Sequence, residues 1–129
     1  MRSWLLLLPI LAGCVTEPEG VIPINVRSIQ PAAEYSIWAA ELSECSGSLV
    51  SPAQISWYAV DGFEDLRPRL QFVEHPTVIA GRWKAGRIYI HKDYLLNSTV
   101  IKHELNHERL SGDMRHLDSS WRLCNANSA

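Results

Sequence analysis

Apolar residues recur at two different spacings along this chain, and each spacing marks out its own elements. Tyr35, Trp38, Leu42 and Cys45 stand three or four residues apart, the period of one helical face, which predicts a helix over Ala32 to Glu44. Pro31 suits its start, where a missing N–H is no loss, and Ser46-Gly47 suits its stop. The same stripe places Cys45 on the buried face at the helix end. Val100, Ile101 and Leu105 predict a second helix running to Leu110, capped by Ser98 or Thr99 and ended by Ser111-Gly112-Asp113.

Strands are marked by alternation and by β-branched and aromatic residues. In Arg87-Ile88-Tyr89-Ile90-His91 the two isoleucines share one face, and Arg87, Tyr89 and His91 share the other. Ile55 to Val60 is rich in aromatic and β-branched residues and is ended by a turn at Asp61-Gly62. Val21 to Ile29 supplies a short first strand, irregular because of Pro23. Gly81 to Gly86 is predicted as a turn. Residues 63 to 78, broken by Pro68 and Pro76, are predicted as loop, with at most a short strand over Gln71 to Val73. The expected class is α+β: a few-stranded sheet packed on two helices.

The N-terminus changes the picture. Arg2 precedes an apolar run from Trp4 to Leu11, and Ala12-Gly13-Cys14 follows. A basic residue, a short apolar run and then small residues form a secretory signal, too short to span a membrane as a mature helix. Leu11-Ala12-Gly13-Cys14 further resembles the lipobox of bacterial lipoproteins, in which residues 1–13 are removed and Cys14 is lipidated. In diderm lipoproteins Val15, not being aspartate, implies the outer membrane. Residues 14–20 then form a polar tether, and 21–129 one modest domain. With Cys14 assigned to lipid, Cys45 and Cys124 remain as a pair, and export predicts a disulfide between them. Its stabilisation is on the order of 2–4 kcal/mol. The net charge of −2, with scattered basic residues, offers no nucleic-acid surface. Membrane contact is expected from the lipid anchor alone.

The chemistry concentrates in His103-Glu104-Leu105-Asn106-His107. On a helix, positions i and i+4 share a face, so both imidazoles address one ion. His-Glu-x-x-His is a zinc-binding pattern whose glutamate activates water as general base. A hydrolytic site needs a third ligand after the chain turns back. Asp113 stands where the metzincin pattern has its third ligand, although Leu110 occupies that pattern's glycine position. His116 lies farther on, with more slack and a better zinc donor.

The chain as a whole resembles a group of small bacterial lipoproteins and secreted proteins of zinc-metallopeptidase type. The likeness rests on Trp38 with Cys45-Ser46-Gly47, Ser56-Trp57-Tyr58, Gly81-Arg82-Trp83, Arg87-Ile88-Tyr89 and the His103 to His107 motif. It continues through Gly112-Asp113 with His116 to Trp121 and Cys124, and so spans most of residues 35 to 124. Asn106, Glu108 and Arg109 depart from it, as does the separation of Asp113 from His116. The resemblance implies a zincin-like fold and Zn2+ held by His103, His107 and His116, with Asp113 the alternative ligand or the acceptor that orients one. It implies Glu104 as the catalytic residue and Arg87 to His91 as the cleft strand. The substrate expected is a peptide or envelope protein. The competing function is a non-catalytic zinc-binding or interaction domain of the envelope, closed by Asp113 as fourth ligand.

Overall fold

The computed structural model describes residues 20–68 and 78–127. The leader, Cys14, the strand expected over Gln71 to Val73, and His75 lie outside the described residues. The class is α+β, with a small sheet covered by helices. β2 (Arg27–Ile29), β3 (Ser56–Val60), β5 (Gly81–Lys84) and β6 (Arg87–His91) form one sheet in the order β2-β3-β6-β5. β3 and β6 run parallel at its centre, with Trp57 beside Ile88 and Ala59 beside Ile90. All four side chains are buried. On the opposite face Tyr58 stacks on Tyr89 at 4.9 Å.

α1 (Ala33–Ser46) and α2 (Ser98–Leu110) cover the buried face. α1 contributes Tyr35, Ala39 and Leu42 to the core, and α2 contributes Ile101 and Leu105. The short α3 (Ser120–Leu123) closes the core with Trp121. Cys45 bonds to Cys124 across a sequence separation of 79, so the C-terminal segment is fastened to the end of α1. Cys45 itself is exposed, contrary to the apolar-stripe expectation, and Cys124 is the buried partner. No helix among the described residues is long and apolar enough to cross a membrane.

Four sequence expectations require correction. The first strand is two: β1 (Val21–Ile24) leaves the main sheet and pairs antiparallel with β4 (Gly62–Asp65), which was expected to be turn and loop. Gly81–Lys84 is a strand, and only Ala85-Gly86 makes the turn, because Trp83 pairs with Ile88 and is drawn into the core. α2 is capped one residue earlier than expected: the Asn97 side chain accepts a hydrogen bond from the Val100 N–H at 3.1 Å. Finally β6 lies between β3 and β5, while β5 is one of the two edges of the sheet, with β2 the other, among the described residues. With both of its own edges paired, β6 has no ladder of backbone groups to offer a peptide.

Candidate metal centre

α2 brings His103, Glu104 and His107 to its inner side, where all three are buried. At its end Ser111 turns left-handed at φ 52°, and Gly112, Asp113 and His116 also take positive φ. This succession reverses the chain sharply enough to return the exposed His116 to the helix. The His116 Nε2 then lies 3.2 Å from the His107 Nε2, which is 3.2 Å from the His103 Nε2. The three residues form a group able to hold a metal ion, with ligand atoms all within 4.8 Å of one another. Nitrogens bound at ~2.0–2.1 Å to one tetrahedral zinc stand roughly 3.3 Å apart, so both contacts match a shared ion.

The surrounding hydrogen bonds set the donor chemistry. The His103 Nδ1 lies 2.7 Å from the Ala126 carbonyl oxygen, and the His107 Nδ1 lies 2.8 Å from that of Gly112. A carbonyl only accepts, so each Nδ1 donates and each neutral ring keeps its lone pair on Nε2. Lone pairs facing each other at this distance repel unless a cation or a proton lies between them. The donor set therefore fits a metal, and backbone carbonyls orient the rings.

Asp113 stands outside the metal-capable group among the described residues, and its carboxylate has other partners. Its Oδ1 accepts from the Leu117 N–H at 3.0 Å; its Oδ2 accepts from the Asp118 N–H at 2.9 Å and the Trp121 Nε1–H at 2.7 Å. Desolvation pulls the Asp113 carboxyl up, but the bonds it accepts from the Asp118 N–H, the Trp121 indole and the Leu117 N–H together outweigh it and hold it below the usual carboxylate range. Asp113 thus fastens the His116 loop to Trp121. The Trp121 ring lies 4.9, 4.6 and 4.4 Å from those of His103, His107 and His116. It is the shared wall of the site, and the sequence marked it only as an aromatic residue before the last cysteine. An Asp113→Asn variant is expected to weaken zinc binding about tenfold, as loss of supporting hydrogen bonds commonly does. Competition with a zinc chelator measures this, and unchanged affinity would refute the role.

Three of the departures from the resembled pattern, Asn106, Glu108 and Arg109, are structural. Glu108 accepts from the Trp83 Nε1–H and from the Gly86 N–H at 3.1 Å, clamping the β5–β6 hairpin onto α2. Buried Asn106 donates to the Ser120 Oγ at 3.0 Å and accepts from the Arg109 Nε–H at 2.9 Å. Arg109 also reaches Ser48 and Ser120, at 2.7 and 2.8 Å. Gly81 was missed as well. A Cβ there would stand 2.9 Å from the Glu104 Oε1 and 3.0 Å from its Cγ, so glycine lets β5 lie against the glutamate. Tyr89 and His91 stay away from the cluster: Tyr89 stacks on Tyr58, and the His91 Nδ1 accepts from the Asp93 N–H.

Burial pushes His103 down to about 4, with the charge of neighbouring His107 adding to it. Burial lowers His107 and His116 as well. An unfolded histidine titrates near pH 6.5. In acid the unfolded metal-free chain therefore takes up a proton on His103 before the native chain does. Stability from this group is complete above roughly pH 6.5 and is lost as pH falls toward about 4, by about 3 kcal/mol. Urea unfolding of metal-free protein at roughly pH 7 and pH 4.5 is expected to show that decline, reduced in His103→Gln. An identical pH dependence in both proteins counts against it.

A cavity of about 200 Å³ opens onto the three histidines and Glu104, and one of about 450 Å³ continues past His103 and Glu104 toward the start of α2. The motif and its fold are zincin-like, and the group has the capacity to coordinate zinc. Comparison with known proteins finds no matching family model, no matching curated protein and no matching solved structure.

Proposed function

We propose that this protein is a zinc-dependent peptide hydrolase of the bacterial cell envelope. The observation that carries this reading is the open three-histidine group with Glu104 beside it on one cavity wall. Asp113, which would close a purely structural site, is committed to Trp121 and two backbone N–H groups. His103, His107 and His116 would hold the ion through Nε2. Bound there, zinc supplies Lewis acidity, which acidifies water and polarises a peptide carbonyl.

The remaining work falls to the chain itself. Glu104 takes the proton from the attacking water and returns it to the leaving amine. The close approach of Gly81 confines that carboxylate, and Trp121 with the Ala126 and Gly112 carbonyls keeps the imidazoles in place. β5, the sheet edge beside α2, is the strand on which an extended peptide would add. Its substrates are peptides or proteins of the envelope. Leu11-Ala12-Gly13-Cys14 supports lipidation at Cys14, and the Cys45–Cys124 bridge supports an oxidising compartment. By the same lipoprotein pattern the anchor is in the outer membrane if the organism is diderm, and otherwise on the extracytoplasmic face of the cell membrane.

Glu104→Gln tests the enzyme reading. It is expected to retain zinc while cleavage of a peptide library falls by about 10²–10⁴-fold, the range of a general base. Undiminished cleavage would remove Glu104 from the reaction. Absence of cleavage in the zinc-loaded parent would leave only a zinc-binding domain.

A further inference from the structure

We propose that the cleft beside the histidines binds peptides through a carboxylate, held by Arg67 and Arg82. This deepens the hydrolase reading and rests on it for the peptide nature of the ligand. The two cavities at the site share Arg67, Gly81, Arg82, His103 and Glu104, so they form one continuous cleft. Both arginines stand on the wall common to its two halves.

Arg67 is built into that wall. Its Nε–H and Nη2–H donate to the two carboxylate oxygens of Asp65, each at 2.8 Å. A guanidinium carries five N–H donors in a rigid plane, so Asp65 orients the fork while engaging two of them. A group fixed in advance loses less freedom when a ligand binds. Arg82 follows Gly81 on the edge strand β5 and lines both cavities along with His103 and Glu104. A carboxylate matches a guanidinium in shape and in its two acceptors. Val78, Ile79, Ala80 and Val100 line the larger cavity and give the rest of such a residue apolar cover.

The carboxylate has two sources in a peptide, its C-terminus and an acidic side chain. Zinc-loaded Glu104→Gln protein, titrated with acetylated tetrapeptides, distinguishes them. One pair differs by a free or an amidated C-terminus, and the other, amidated, by Glu or Gln at one position. One charged member is expected to bind at least about tenfold tighter than its neutral counterpart. The member that does so identifies the source. Arg67→Gln is expected to erase the difference with zinc content unchanged, and Arg67→Lys to restore it only partly. Arg82→Gln provides the same comparison if Arg67→Gln does not fold. Equal binding within both pairs overturns the inference, as does a preference that survives both substitutions. Binding here is independent of cleavage. A charged-peptide preference in a protein that cuts nothing would overturn hydrolysis alone, whereas cleavage without any such preference would overturn this inference alone.

Discussion

Replacing His103 with alanine is expected to cost the protein its zinc. Structural zinc sites are worth about 10–16 kcal/mol, so one of three imidazoles accounts for roughly 3–5 kcal/mol, or about 10²–10⁴-fold in affinity. His103 has no substitute nearby: among the described residues the metal-capable group has three members, and Asp113 is turned to other partners. Elemental analysis after dialysis against a competing chelator reads the outcome directly. The parent should retain near-stoichiometric zinc, His103→Ala and His107→Ala almost none. A His103→Ala protein that keeps full zinc would remove the site altogether. His116→Ala provides a graded comparison, because that ligand arrives on a loop and not on α2.

The second large effect is expected from opening the disulfide. In the chain-entropy model, closing a loop over the observed separation of 79 residues contributes about 4.5 kcal/mol. Cys45→Ser with Cys124→Ser should lower the free energy of unfolding of the metal-free protein by roughly that amount. The same change should weaken zinc binding, although neither cysteine touches the histidines. Trp121 and the Ala126 carbonyl, which position the imidazoles, flank Cys124 on the segment that the bridge fastens to α1. Denaturant unfolding and chelator competition measure the two effects. An unfolding midpoint equal to that of the parent would mean that packing of α3 alone secures this end of the chain.

What the sequence made legible follows from how each element is stabilised. α1, β3, β6 and α2 owe their place to side chains at regular spacing, and Tyr35, Leu42, Ile88, Ile90, Ile101 and Leu105 are in the core. β5 escaped because an edge strand with Arg82 and Lys84 at its outer positions and glycine at its start carries the composition of a turn. β1 reads in the sequence as part of one strand running to Ile29, and its break from β2 and its pairing with β4 escaped because strands of four residues, one holding Pro23, have no periodicity to detect. At the site, the spacing of His103 and His107 was sufficient to pair them. The return of His116 depended on four positive-φ residues from Ser111 to His116, only one of them glycine. The groups that orient the rings are carbonyls of Ala126 and Gly112, and a backbone oxygen leaves no trace in residue identity. Asn106, Glu108 and Arg109 looked like departures from a pattern because their partners, Ser120, Trp83 and Ser48, are distant in sequence.

The Cys45–Cys124 bond also bears on survival under attack. Glu104 and all three histidines lie between the two cysteines, inside a covalent ring. A single cut at any peptide bond of that ring opens it without releasing a fragment, whether the cut is made by a neighbouring protease or by the protein on itself. The two new ends stay joined through sulfur, and α1 remains attached to the segment bearing Trp121. Losing a piece of the ring takes two cuts.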